Sequence, residues 1–163
     1  MTSLTETDHT GLLDSVPSRH RLSRYGPVLI WAILIFFAST GAFSASNTAV
    51  LVRPLHWLFP HLSEATLNFI HDVIIRKSAH FTEYAIFGLL AARAFRSSSR
   101  EFLRSHWFLI SLLLVTAYAL SDEFHQSFVP SRTASIYDSM IDSCGGLAAL
   151  CFVRIRRQSR AKQ

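Results

Sequence analysis

The sequence is poor in charge, in residues that break helices and in cysteine. Asp, Glu, Lys and Arg make up 17% of its 163 residues, where a water-soluble domain carries roughly a quarter. With 6 Gly and 5 Pro it is neither collagen-like nor a linker polymer, and with 50% hydrophobic residues it is not disordered. Its two cysteines, Cys144 and Cys151, form no CxxC or Cys/His ligand pattern. On one helix they lie about 10.5 Å apart, too far for a disulfide, and read as small buried apolar side chains. Neither an internal repeat nor a second domain is visible.

What the chain does have is length without charge. No Asp, Glu, Lys or Arg occurs from Tyr25 to Val52, with a core at Pro27–Phe43, or from Ser105 to Ser121. Either stretch can supply the roughly 20 apolar residues that cross a bilayer. Trp107 and Tyr118 in the later stretch are expected at headgroup level. Two further windows, Ser78–Phe95 and Ile136–Val153, carry His80 and Glu83, and Asp138 and Asp142. They read as spans whose polar groups face other helices. The expected fold is an all-α integral membrane bundle of four transmembrane helices.

Twelve Lys and Arg residues precede the first window, separate the second from the third, or follow the fourth. The alternate connections hold four: Arg53, Arg76, Lys77 and Arg132. The bias predicts both termini in the cytoplasm of a multi-pass protein in the cytoplasmic (inner) membrane. Residues 1–24 read as a flexible cytoplasmic tail, 25–153 as the transmembrane domain, and 154–163 as a basic tail near anionic lipid. A rival reading takes the first window as a cleaved signal ending near Ala42-Phe43-Ser44. Between the first two windows, Leu67, Ile70 and Ile74 share one helical face and Glu64, Asn68 and Asp72 another, predicting a short interfacial helix. The net charge of +5 is not laid out as basic runs interleaved with aromatics, which argues against nucleic acid.

On this topology the ionisable residues collect on the outer side. Lys77, His80, Glu83 and Tyr84 lie early in the second span, and Asp122, Glu123, His125 and Gln126 at the end of the third. Arg132, Asp138 and Asp142 follow. Lys77, His80 and Tyr84 share a helical face, and Asp138 and Asp142 are i, i+4 partners. Gly145 and Gly146 then allow a neighbouring helix to approach. Charges inside a bilayer cost about 2.5 to 3.5 kcal/mol each at the centre, so intramembrane clusters are usually functional. The alternative is an ion-pair network in which Lys77 and Arg132 neutralise the carboxylates and set helix register.

Lys77-x-x-His80-x-x-x-Tyr84, Asp122-Glu123-x-x-Gln126, and Arg132 followed by Asp138, Asp142 and Gly145 together resemble the VanZ-like membrane protein family. The resemblance spans about Trp31 to Cys151 and extends to Phe36-Phe37-Ala38-Ser39. The family pattern has Asn where this chain has Asp142. The resemblance implies a small membrane protein of the bacterial envelope, with a named relative that lowers susceptibility to the glycopeptide teicoplanin, and no agreed reaction.

Three chemistries stay open. Arg132 and Lys77 can bind an anionic head group while His80 or a carboxylate moves protons, which suits a lipid-linked cell-wall precursor. The expected acid/base set is His80, Glu83, Asp122, Glu123, Asp138 and Asp142; the ligand-binding set is Lys77, Tyr84, Gln126 and Arg132. Alternatively, the carboxylates with His80 and His125 can hold a divalent metal. Lastly, the cluster can bind a glycopeptide, a lipid or a partner protein, or pass a proton or ion, without catalysis. The spacing from Arg132 to Asp142 resembles the last block of membrane phosphatidic-acid-type phosphatases. Asp138 stands where those enzymes have a nucleophilic His, and their Pro-Ser-Gly-His block is absent.

Overall fold

The computed structural model describes residues 16–40, 52–130 and 134–163. Residues 1–15, the Ala42-Phe43-Ser44 segment and Arg132 lie outside the described residues. Among those described there is helix and no strand. The elements are α1 (Val16–Ala38), α2 (Val52–Leu58), α3 (Glu64–Phe69), α4 (Arg76–Arg96), α5 (Glu101–Ser105), α6 (Trp107–Gln126) and α7 (Ile136–Arg160).

Among the described residues, three helical segments are long and apolar enough to cross a membrane: His20–Ala38, Trp107–Gln126 and Ile136–Arg160. The fourth expected span, α4, is not among them. Helix α4, at 21 residues, has the length, about 31 Å, but Arg76, Lys77, His80 and Glu83 load its first turns and Arg93 its last, so it lacks the apolarity.

Nevertheless α4 is the hub of the packing, and its pairing with α7 is the most extensive in the fold. Tyr25 meets Ser98 and Trp31 meets Glu83, so α1 runs antiparallel to α4. Phe87 packs on Tyr118, and Ala92 clusters with Trp107, so α6 is antiparallel to α4 as well. Lys77 meets Asp138 while Ala92 clusters with Leu150, so α7 runs parallel to α4. Lipid-like surroundings provide no hydrophobic drive between helices, and close contact of small residues takes its place. Gly88, Ala91 and Ala92 of α4 are buried, as are Gly145, Gly146 and Ala149 of α7. A Cβ on Gly145 would sit 2.3 Å from the Phe81 carbonyl oxygen, and one on Gly146 2.4 Å from Val115 Cγ1. Glycine is required at both by proximity.

Large apolar side chains point the other way. Leu29, Ile30 and Phe37 of α1, Leu109 and Leu113 of α6, and Phe152 and Ile155 of α7 are exposed. A water-soluble monomer rarely shows such continuous apolar area, whereas a lipid-facing surface requires it.

Several expectations change. The connector is not a separate interfacial helix: α3 continues through a π-helical turn, Ile70–Ile75, directly into α4. The Arg76 N–H reaches back five residues to the His71 carbonyl. No Gly or Pro occurs between His61 and Phe87 to stop the run. Leu67 and His71 are buried while Ile74 is exposed, so the buried face differs from the Leu67/Ile70/Ile74 stripe. Trp107 and Tyr118 both pack against protein: Trp107, the first residue of α6, joins Ala92 and Leu150, and the Tyr118 hydroxyl donates to the Ala32 carbonyl at 2.5 Å. Cys144 is exposed and Cys151 half-buried, both as free thiols, because the small-residue face of α7 is taken by Gly145, Gly146 and Ala149. Helix α1 already includes Val16–Arg24, and α7 runs on through Arg160, so both expected tails are partly helical.

Candidate functional site

The end of α1, the start of α4, the end of α6 and the start of α7 lie together, and their polar side chains interlock. Asp122 and Glu123 are adjacent on α6, so their side chains diverge by about 100° around the helix. Asp122 turns toward α1, where Ser39 Oγ donates to its Oδ2 at 2.8 Å, and Gln126 Nε2 donates to the same oxygen at 3.1 Å. Glu123 turns toward α7, where its Oε2 accepts the Ser135 backbone N–H at 2.7 Å. Ser135 also caps α7, its Oγ accepting from the Tyr137 N–H. That places Asp138 in the first turn, where the helix dipole favours a carboxylate.

Across from it, Lys77 of α4 forms an ion pair with Asp138. One turn along, His80 Nδ1 lies 3.8 Å from Glu83 Oε2 and 4.0 Å from Asp142 Oδ1. The imidazole therefore stands between a half-buried carboxylate and one that is 1% exposed. Asp142 is the unusual member: neither of its oxygens has a hydrogen-bond partner. Beside it the buried Tyr84 hydroxyl faces the carboxylates of Asp122 and Asp142. The Glu83 backbone carbonyl accepts from the Trp31 indole at 2.9 Å, anchoring α4 to α1 at this level.

The structure thus brings together Lys77, His80, Glu83, Tyr84, Asp122, Glu123, Gln126, Asp138 and Asp142. Arg132 lies outside the described residues. His125 stands on the flank, stacked on Phe36 with ring centroids 4.6 Å apart. Among the described residues, no group of three or more His, Cys, Asp or Glu is arranged to hold a metal ion. Lys77, expected as an anion binder, is paired with Asp138 and keeps about a third of its side chain exposed. Sequence reasoning did not assign Ser39, the Ser135 backbone or Trp31 to this cluster. For Ser39 a signal existed, a hydroxyl closing the apolar Phe36-Phe37-Ala38 run; the other two contacts depend on tertiary approach.

Five carboxyl groups gathered where three helices meet the end of a fourth call for an explanation beyond packing. A hydrogen bond to a buried polar group is worth about 1 kcal/mol, and leaving such a group bare costs about 1 to 3 kcal/mol. Asp122 and Glu123 are buried and bonded; Asp142 is buried and bare. The arrangement can take up a ligand donor at Asp142 and pass a proton through His80. The model of the VanZ/LLP1 family matches residues 26–157.

The chain belongs to the VanZ/LLP1 family. The family match takes in most of α1, all of α4, α6 and most of α7, and every residue of the acidic cluster from Ser39 to Asp142. No curated protein and no solved structure matches it. VanZ/LLP1 membership, with three helices of spanning length and apolarity, points to a membrane protein linked to the envelope and antibiotic resistance.

Proposed function

We propose that this VanZ/LLP1 protein is a multi-pass protein of the bacterial cytoplasmic membrane. In this reading its acidic end faces outward and binds or modifies an envelope component such as a lipid-linked cell-wall precursor. Helix α4 is then a fourth span, its polar side sheltered by α1, α6 and α7, and both termini are cytoplasmic. The arginines of the opposite end, Arg93, Arg96, Arg104 and Arg157 around one cavity, support that orientation through the positive-inside rule.

The observation that carries the reading is Asp142, buried and without a hydrogen bond beside His80, at the convergence of the helices. His80 is placed as the proton carrier, Asp142 and Glu83 as the groups that receive or orient ligand donors, and Lys77–Asp138 as the rim. A change in teicoplanin susceptibility belongs to the same proposal as a consequence of altered precursor handling.

The test is full-length protein in proteoliposomes given a labelled lipid-linked wall precursor. The wild type retains or converts the label, and Asp142→Asn, folded and inserted, loses this by roughly tenfold or more, the loss of one charge-assisted contact. A wild type that neither retains nor converts the precursor overturns the reading. A second, non-catalytic reading is favoured by the ties Ser39–Asp122, Glu123–Ser135 and Lys77–Asp138, which could serve to set register. In that case Asp138→Asn lowers the unfolding temperature in detergent and leaves precursor handling unchanged.

A further inference from the structure

The opposite end of the molecule carries two adjoining cavities that the acidic cluster does not use. One, of about 260 Å³, is lined by Arg21 and Arg24 of α1 and by Ser98, Ser99 and Arg100 of the α4–α5 turn, with no acidic residue in its wall. The other, of about 650 Å³, is a cleft between α1 and the α4/α6 pair, walled by Val28, Leu29, Ala32, Phe87 and Leu114. That volume falls within the roughly 300 to 1,000 Å³ of ligand pockets. Arg21 and Tyr25 line both cavities. Tyr25 marks the boundary between them: its hydroxyl donates to Ser98 Oγ at 3.2 Å, and its ring packs edge-on against Phe95. Ser98 Oγ also accepts the Arg100 N–H, which holds the turn against the polar pocket.

Helix α1 lies at the edge of the bundle, with few of its residues buried, and the cleft runs along its inner side. Tyr118 presents its ring there, since its hydroxyl is taken by the Ala32 carbonyl. A cationic pocket opening directly onto a long apolar cleft, at the end of a membrane-length helix, matches an amphipathic anion. A water-soluble phosphate would leave the cleft unfilled, and a neutral or zwitterionic lipid would leave three guanidinium groups poorly matched.

We propose that this is a binding site for one anionic phospholipid. Its phosphate sits between Arg21, Arg24 and Arg100, and an acyl chain lies along the cleft beside Leu29, Ala32 and Phe87. The inference requires only that the chain spans a membrane and is independent of what the acidic end does.

The experiment is native mass spectrometry of the full-length protein in detergent, titrated separately with phosphatidylglycerol, phosphatidylethanolamine and glycerol phosphate. Phosphatidylglycerol is expected to be retained as a single adduct roughly tenfold or more tightly than phosphatidylethanolamine, given three arginines at the headgroup. Glycerol phosphate should not compete. In Arg24→Gln/Arg100→Gln the preference disappears, and in Leu29→Trp, which fills the cleft, retention falls with the arginines intact. Equal retention of the two lipids by the wild type, or competition by glycerol phosphate, overturns the proposal, whatever the variants do.

Discussion

At the scale of single residues, the buried carboxyl groups divide by what they touch. Asp122 accepts from Ser39 and Gln126, and Glu123 from Ser135, so each contributes to holding the helices. Asp142 holds nothing by hydrogen bonding. Ser39→Ala should therefore lower stability by about 1 kcal/mol, the worth of one hydrogen bond, since Gln126 still donates to Asp122. Asp142→Asn should leave stability unchanged or raise it, because no protein hydrogen bond is lost and a buried carboxyl becomes a neutral amide. Thermal unfolding of both variants in detergent checks the pair, and a large loss in Asp142→Asn would show a stabilising role. Lys77, His80, Glu83, Tyr84 and the acidic residues were legible in the sequence because ionisable groups are conspicuous in apolar windows. Ser39 was less legible, since a hydroxyl at a helix end is unremarkable until its partner on another helix is known. The exposure of Cys144 was hidden too, because burial on a helix depends on which neighbour arrives.

At the scale of elements, the α4–α7 contact is set by what glycine leaves out. A Cβ on Gly145 meets backbone, the Phe81 carbonyl oxygen; a Cβ on Gly146 meets a side chain, Val115. Gly145→Ala and Gly146→Ala should each cost about 1 to 3 kcal/mol through overpacking. Val115→Ala should restore much of the loss in Gly146→Ala and none of it in Gly145→Ala. Unfolding midpoints of the two double variants measure this, and equal rescue of both would contradict the packing described. The role of the glycines in close approach was readable from Gly145-Gly146 within a span. The continuity of α3, the π turn and α4 was not, because the two faces of Leu67, Ile70 and Ile74 and of Glu64, Asn68 and Asp72 suggested a separate surface helix, whereas the stretch beyond His61 without Gly or Pro decides. The packing partners of Trp107 and Tyr118, namely Ala92, Leu150 and the Ala32 carbonyl, were not legible either, because they depend on which helix arrives beside each ring.

At the scale of the whole molecule, the chain is polarised. One end gathers carboxylates from α4, α6 and α7 with the Ser39 hydroxyl; the other gathers arginines around two cavities. Between them lie the small-residue and aromatic contacts of the interior, with Leu, Ile and Phe facing outward. The all-helical class and this polarity were legible, since long uncharged windows and the distribution of arginine are properties of composition. The number of spans was not, because α4 is long enough but owes its place to partners that cover its polar side. The proposed sidedness rests on the charge bias, and the function proposed for the acidic end requires it. The direct measurement is labelling of intact cells with a membrane-impermeant maleimide, in a Cys144→Ser/Cys151→Ser background carrying Phe128→Cys or Ser99→Cys. Residue 128 just beyond the acidic end should label from outside, and residue 99 at the arginine end only after permeabilisation. Labelling of both positions from the same side, or the reverse pattern, would contradict an outward-facing acidic site.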